Sequence, residues 1–431
     1  MIFYWLFLCL TPFQAHPVLG ATLFQAGFMP MTPIKLAGLL AVGAALLGPR
    51  PADAAPRLST AISPIYAMFM TYPLLTTLVL GRGIPSVSIS ALFSFAMLLV
   101  ATRCLICTQQ RLLSTIRVLV FVEAVGSLWL YRQYYILHWD VPVGPSSDAN
   151  YEALAIVMVL PLAIYLVGSD PSRLSRLLAL ASAPLLGFAV IVTQSRGGLL
   201  ALGVIALTAW LSARRKALML AGCAVAMLLA LALGPSVTWE RFHQIRVSGD
   251  AETGAEVSTR TRIELWRGGL AMIRSNPITG VGLDQFKTLV GDYNPKLYNV
   301  IDRNYIAHNT YVQLGAEGGL PTLALFIASI VFAVANFRRC ELLAGRDRDL
   351  GRIAASMRVG LYAYAVAAFF LTAQFEKALW IYVFISPNLC EIAGAKVRKA
   401  KEGRAAAARF SSKAEGVESG PPEAAHIGSA I

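Results

Sequence analysis

Charge is scarce in this sequence. Only 14% of the 431 residues are Asp, Glu, Lys or Arg, while 56% are apolar. A soluble chain carries roughly 25% charged residues, so too few polar side chains remain here to coat a water-facing globule. Period-2 alternation, the mark of a membrane barrel, is also missing. The apolar residues fall instead in blocks of about 15 to 22, close to the length that crosses a bilayer core as a helix. Lipid cannot satisfy unpaired backbone groups, so blocks of this length are helices. Cysteine is rare: Cys9, Cys104, Cys107, Cys223, Cys340 and Cys390 lie in or beside apolar blocks, with none in the long hydrophilic segment. That excludes a disulfide framework there. Cys104 and Cys107 form a lone CxxC, read as two unpaired thiols because a metal site needs more ligands. The opening Met1–Leu10 has no basic stretch before it and no small-residue cleavage signal after it, so it reads as a retained first span. No internal repeat appears, which counts against a transporter built on inverted repeats.

What is present is a series of about twelve apolar segments, making this an all-α polytopic membrane protein. They cover 1–13, 33–48, 61–81, 86–107, 112–131, 151–168, 174–194, 197–213, 216–234, 309–336, 354–374 and 376–394. Nine spans thus occupy 1–234, a hydrophilic loop occupies 235–308, three spans occupy 309–394, and a tail occupies 395–431. The net charge of +13 would suggest nucleic acid in a soluble protein. Here it reflects the bias of Lys and Arg toward cytoplasmic loops, so no nucleic-acid partner is expected. One alternating set of connections, with the tail, holds roughly 23 of the 37 basic residues, including Arg103, Arg111, Arg117, Arg214, Arg215 and six arginines from Arg338 to Arg358. The opposite short loops hold Lys35, Arg82, Arg132, Arg196 and Lys377. Both termini are therefore expected in the cytoplasm and the loop 235–308 outside it. The tail is basic and then rich in Ala, Gly, Ser, Glu and Pro, a composition that reads as disordered. Its basic start suits anionic lipid headgroups.

Four places on the extracytoplasmic side carry candidate chemistry. Thr193-Gln194-Ser195-Arg196-Gly197-Gly198 puts a permanently charged guanidinium between two spans, as a ligand contact or as an anchor snorkelling to headgroups. Its glycines let a ligand or another backbone come close. Next comes a helix capped by Ser258 or Thr259 and stopped before Pro277. At 100° per residue Ile263, Trp266, Leu270 and Ile273 form its apolar face, and Arg260, Arg267 and Arg274 its polar face. Arg262 sits at the edge of the apolar face and needs an anionic partner, either a ligand or a loop carboxylate such as Glu240 or Asp284. Asn276-Pro277-Ile278-Thr279-Gly280-Val281-Gly282 reads as a structural helix stop and turn; its GxG is weak evidence for a phosphate loop. His308-Asn309-Thr310-Tyr311 opens the tenth span, and a histidine there titrates near neutrality and accepts a proton from a hydroxyl. Glu317 faces away from His308 on a continuous helix, unless Gly318, Gly319 and Pro321 break it. Asp347-Arg348-Asp349 resembles a metal-binding DxD but falls on the cytoplasmic side. Glu123 lies inside the fifth span, where an interhelical hydrogen bond is expected.

These segments resemble the O-antigen ligase family of Gram-negative inner membranes. The resemblance rests on SRGG at Ser195–Gly198, RIELW at Arg262–Trp266, NPITGVG at Asn276–Gly282 and HNTYVQLGAEGGLP at His308–Pro321, in that order. It is specific over 190–335 and topological elsewhere. The signature is shared with O-antigen polymerases and protein O-oligosaccharyltransferases. It implies a fold similar to the helical GT-C glycosyltransferases. It also implies a multi-pass inner-membrane enzyme that moves an O-antigen from undecaprenyl diphosphate to a sugar hydroxyl of the lipid A core, on the periplasmic face. Arg196 and Arg262 would bind the donor diphosphate, since arginine forks match phosphate oxygens, and His308 would be the general base. Arg82, Ser195, Trp266, Arg267, Asn309 and Glu317 are secondary candidates. No extracytoplasmic DxD is present, so neither a metal nor another cofactor is expected. A flippase for lipid-linked glycans, the reading from another class, would place charges along a path through the bilayer; here they gather on one surface.

The topology is tested by labelling single cysteines at Asp250→Cys and Ser411→Cys in a background lacking the native six. An impermeant thiol reagent on intact spheroplasts should label position 250 and spare position 411. The reverse pattern would overturn the assignment.

Overall fold

The computed structural model describes the whole chain except residues 14–20, 27–28, 50, 52–63, 147, 234–253, 298–304, 346–347 and 419–431. Glu240, His243 and Asp347 therefore lie outside the described residues. Every segment expected to span holds a helix. The first nine are α1 Ile2–Leu10, α2 Pro33–Leu47, α3 Pro64–Val79, α4 Ser86–Leu105, α5 Gln109–Tyr131, α6 Ala149–Ser169, α7 Arg173–Val192, α8 Arg196–Ser212 and α9 Lys216–Leu233. The loop contributes α10 Gly254–Ser275 and α11 Phe286–Tyr293, and α12 Thr310–Ala344, α13 Arg348–Ala367 and α14 Lys377–Glu418 follow. A short antiparallel hairpin, β1 Phe24–Ala26 with β2 Met29–Met31, links α1 to α2.

Length separates these helices. Among the described residues six stretches are long and apolar enough to cross a membrane: Ser88–Leu105, Gln109–Ile136, Ala149–Ser169, Arg173–Val192, Thr310–Ala344 and Lys377–Gly403. Pro33–Leu47, Pro64–Val79, Arg196–Ser212 and Lys216–Val225 are apolar but shorter. The nine residues of α1 rise only about 14 Å. The tail differs from expectation. Helix α14 continues to Glu418 where disorder is anticipated, because Ala, Lys, Glu and Arg are all strong helix formers. The described cysteines are free thiols.

Inside a bilayer, apolar surface gains nothing by leaving lipid for another helix, so close packing must hold the bundle. Helix α6 packs on α7, α8 and α13, while α12 packs on α3, α13 and α14. Trp380 of α14 is fully buried. Phe69 and Phe95 both stand 5.1 Å from it between centroids, and Phe384 stands at 5.5 Å. On the loop side a second, smaller core forms from Leu265, Met272, Val281, Phe286 and Ala316.

The two cores are joined where α12 breaks. Gly319 has φ 73° and ψ 177°, a backbone region that is essentially glycine-only. Into that break docks the Asn276–Gly282 turn. Val281 N donates to Ala316 O at 2.8 Å, Gly282 N to Glu317 O at 2.9 Å, and Leu320 N to Pro277 O at 2.8 Å. A Cβ at Gly319 would run into the Ile278 carbonyl, and one at Gly280 into the backbone of Glu317. The turn is structural, as its sequence suggests. Arg82, a secondary site candidate, belongs to the same joint: its Nη1 donates to Val281 O.

Gly319→Ala combines backbone strain with a collision. It should cost about 1–3 kcal/mol and lower both the yield and the thermal midpoint of purified protein. A midpoint equal to wild type would show that the break is not needed.

Candidate functional site

Three helix starts meet on the loop side. Asp148 caps α6, its Oδ1 accepting from Asn150 N at 2.7 Å and Tyr151 N at 3.3 Å. Ser195 caps α8, accepting from Gly198 N at 3.2 Å and donating to Asn150 Oδ1 at 2.8 Å. Asn309 caps α12, accepting from Tyr311 N at 2.9 Å and Val312 N at 3.1 Å. Small polar side chains at these positions satisfy amides that a helix leaves open. Three N-termini aimed at one region also supply partial positive charge. Ser195 and Asn309 are thus helix caps, each adjacent in sequence to Arg196 or His308.

A turn following α13 holds these starts in register. Thr310 N donates to Ala368 O at 2.9 Å, and Thr310 Oγ1 to Leu371 O at 2.6 Å. Tyr151 OH donates to Thr372 O at 2.6 Å. A Cβ at Gly197 would stand 3.2 Å from Phe370 Cβ, and one at Gly198 only 2.7 Å from Ala153 Cβ. The two glycines after Arg196 therefore serve helix packing, not ligand approach.

Arg262 reaches the same place from α10. The phasing of this helix differs from the sequence reading. The buried side runs through Leu265, Gly268, Gly269 and Met272, while Ile263 is 42% and Leu270 45% exposed. The helix also starts at Gly254, ahead of the proposed Ser258 or Thr259 cap. Glycines, scored as neutral in an apolar count, mark the true face because Val290, Phe286 and Val312 press against them. Arg262 still points inward, lying one turn before Leu265 on that stripe and half-buried. Arg260, Arg267 and Arg274 are exposed, and Arg267 pairs with Glu264 at 2.5 Å. Asp284, offered as a structural partner for Arg262, pairs with Lys287 at 2.9 Å instead.

The charges of Arg262, Arg196, His308 and Asp148 act on one another. The Arg262 guanidinium is pushed below its ordinary pKa by burial and then by the positive charge of Arg196, with Asp148 opposing. It stays charged, as guanidinium does in proteins. Burial likewise lowers the His308 imidazole, Arg262 lowers it further, and Asp148 opposes. The sequence alone suggests a base of ordinary pKa; the structure places it lower, because a buried imidazole beside a cation resists gaining a second charge.

His308 is held firmly. Its φ is +46°, uncommon for a residue other than glycine. On one side Trp266 Nε1 donates to Ala307 O at 2.9 Å, and Ala307 N donates to Gln313 Oε1 at 2.8 Å. Gln313 Nε2 in turn donates to Glu317 Oε1 at 2.7 Å. On the other side stand the Asn309 cap and Thr310. Trp266, which also meets Phe369 edge-on at 5.4 Å, and Glu317 are therefore positioning residues. Gln194, beside Ser195, has φ +57°, and its Nε2 donates to Asp140 O at 2.6 Å. Two strained backbones flanking one constellation fit a site over-determined by its surroundings. Sequence reasoning missed Asp148, Gln313 and the 367–373 turn. The Asp148-Ala149-Asn150 start of α6 was the one available signal, an ordinary cap motif.

Behind this surface a cavity of about 520 Å³ descends between α5, α6 and α14. Glu123 faces it with Glu152, Glu317 and Glu376. The hydrogen bond between helices expected for Glu123 is not found: its Oε2 has no partner among the described residues. Among those residues no group of three or more His, Cys, Asp or Glu is placed to hold a metal ion.

The fold and site together define a polytopic helical membrane protein with two arginines and a histidine converging beside its spans. Residues 180–327, from within α7 to midway along α12, match the family described as O-antigen ligase. The match covers about a third of the chain and takes in Arg196, Arg262 and His308. The comparison with curated proteins finds no match.

An imidazole acts as a base only while neutral, above its pKa. Asp148 raises that pKa, so Asp148→Asn, which keeps a cap, should move the acid limb of kcat/KM to lower pH. Replacing Arg262 should move the limb of the residual activity to higher pH. A limb unmoved by Asp148→Asn would remove His308 as its origin.

Proposed function

We propose that the protein is a lipopolysaccharide O-antigen ligase. It transfers a glycan from undecaprenyl diphosphate to a sugar hydroxyl of the lipid A core, at the periplasmic face of the bacterial inner membrane. The observation that carries the reading is the position of Arg262, which acts on both Arg196 and His308 from a third segment. Two guanidiniums near one another attract an anion, and the Asp148 carboxylate already acts on Arg262 in that way. A diphosphate brings more negative charge, and arginine forks match its oxygens in two-point contacts. The three helix starts add to the same attraction. Twelve crossings in an arrangement similar to the GT-C glycosyltransferases, with both termini cytoplasmic, complete the picture.

In the reaction the acceptor oxygen bonds to the anomeric carbon of the donor sugar. The bond from that carbon to the diphosphate oxygen breaks, and its electron pair leaves with the diphosphate. His308 takes the hydroxyl proton, a role worth about 10²–10⁴-fold. The arginines stabilise the charge gathering on the leaving group. No step calls for a metal.

Transfer by purified protein is measured with a lipid-diphosphate glycan and three acceptors: lipid A–core, a second lipid-linked glycan, and a Ser/Thr peptide. Transfer to lipid A–core is expected. Transfer only to the second or third would make the protein a polymerase or a protein O-oligosaccharyltransferase, and transfer to none would overturn the reading. Arg196→Lys and Arg262→Lys should each lose about tenfold or more, one charged hydrogen bond being worth about 1.5–3 kcal/mol. Arg260→Ala and Arg274→Ala should stay near wild type. Lysine variants near wild type, together with losses in Arg260→Ala and Arg274→Ala, would show that net charge, not the fork, matters.

A further inference from the structure

The cavity behind the arginine surface has a character the diphosphate cannot explain. It runs from Asp148 down α6 to Val159, a descent of about 16 Å at the helical rise. Among its polar groups are Glu123, Glu152, Glu317, Glu376 and Gln374. The described wall holds no Lys or Arg to pair with a phosphate, so the anion and the contents of this cavity are different groups.

Three of these side chains are more than nine-tenths buried and carry an oxygen with no partner among the described residues. They are Glu123 Oε2, Glu152 Oε1 and Gln374 Oε1. An acceptor left bare in the interior costs about 1–3 kcal/mol, and ionisable groups within a membrane bundle mark functional positions by default. The space around them is kept open. A Cβ at Gly126 would stand 3.9 Å from Glu123 Oε2 and 3.7 Å from Glu152 Oε1, so the two bare oxygens share one glycine gap. Gly144, at φ +64°, leaves room for Glu152 itself, since a Cβ there would lie 2.6 Å from Glu152 Cδ. Glu152 is fixed by Ser146 N, which donates to its Oε2 at 3.3 Å, leaving Oε1 to the cavity. Three aromatic rings, Tyr151, Phe375 and Tyr382, complete the wall. The hydroxyl of Tyr382 is taken by Met158 O at 2.5 Å.

A ligand for such a space is rich in donors, carries no negative charge, and presents apolar faces to rings. We propose that the cavity is a sugar subsite, in which Glu123 and Glu152 accept hydrogen bonds from the hydroxyls of a glycan ring. The ring belongs either to the acceptor or to the donor glycan next to the diphosphate. Both would lie against the mouth at Asp148, beside His308. The proposal rests on the glycan-transfer reading and adds the residues that recognise sugar.

The test uses full-length protein with Glu123→Gln, Glu152→Gln and Ala155→Leu. The first two keep shape and replace an acceptor oxygen with a donor; the third fills the cavity from α6 without touching a carboxylate. Three quantities are measured on each: affinity for bare undecaprenyl diphosphate, affinity for the same lipid carrying its glycan, and KM for the lipid A–core acceptor. Bare lipid diphosphate should bind every variant as it binds wild type. An acceptor KM raised about tenfold assigns the ring to the acceptor. A similar loss confined to the glycan-bearing donor assigns it to the donor. If all three quantities stay at wild-type values, the cavity holds only water and the proposal fails. If bare lipid diphosphate binding falls as much as the others, the carboxylates serve the anion site or the fold, and the proposal also fails. Absence of transfer by wild type to any acceptor would strike the function reading alone, because the two affinities still test the cavity.

Discussion

A turn of seven residues, 367–373, sets the geometry of the loop-side surface. Its carbonyls at Ala368, Leu371 and Thr372 each receive a donor from a helix that begins there. Phe370 presses on the glycine that follows Arg196, and Phe369 meets Trp266 of α10. Each of the three hydrogen bonds satisfies a carbonyl that would otherwise be open at the edge of lipid, where it is costly. The starts of α6, α8 and α12 and the middle of α10 thus take their positions from one support. The side chains that converge are those at the helix starts. Arg196 and His308 are positioned by these caps and carbonyls.

The site divides by charge. Above the helix starts the field is positive, from two guanidiniums and three helix dipoles. Below Asp148 glutamates surround the cavity, and its described wall holds no Lys or Arg. Asp148 stands at the boundary, and its charge opposes the effect of its cationic neighbours on both Arg262 and His308. An anion is drawn to the guanidinium side of this boundary, whereas an uncharged hydroxyl-bearing group is not held to either side by net charge. The same arrangement keeps the imidazole neutral at ordinary pH, because burial and Arg262 outweigh Asp148.

The helices were legible where hydropathy alone decides. All the apolar blocks are helices because lipid allows nothing else. Their lengths were less legible, and α1, α2 and α3 come out short of a full crossing by composition and length. Arg196, Arg262 and His308 could be singled out because each is a costly residue at a membrane surface, and the structure brings them together. The phase of α10 could not be read, since its inward face is built on Gly268 and Gly269, and a glycine has no side chain for a periodicity count to register. The 367–373 turn escaped for a related reason. It acts through its carbonyls, which every residue has, so nothing in the letters marks it.

Glu123 shows where one-dimensional reading reaches its limit. Seen along α5 it is a lone acid in an apolar helix, and a hydrogen bond to a neighbouring helix is the economical expectation. Glu152 lies one turn into α6 and Glu376 just ahead of α14, both near helix ends in sequence. In space the α5 helix passes these ends, and Gly126 lets Glu123 and Glu152 share a gap. Depth along a helix is not depth in the bundle, because a cavity brings the membrane surface inward. A carboxylate that reads as buried in lipid is then a wall residue of a polar chamber, and its bare oxygen becomes the natural contact for whatever enters from the arginine side.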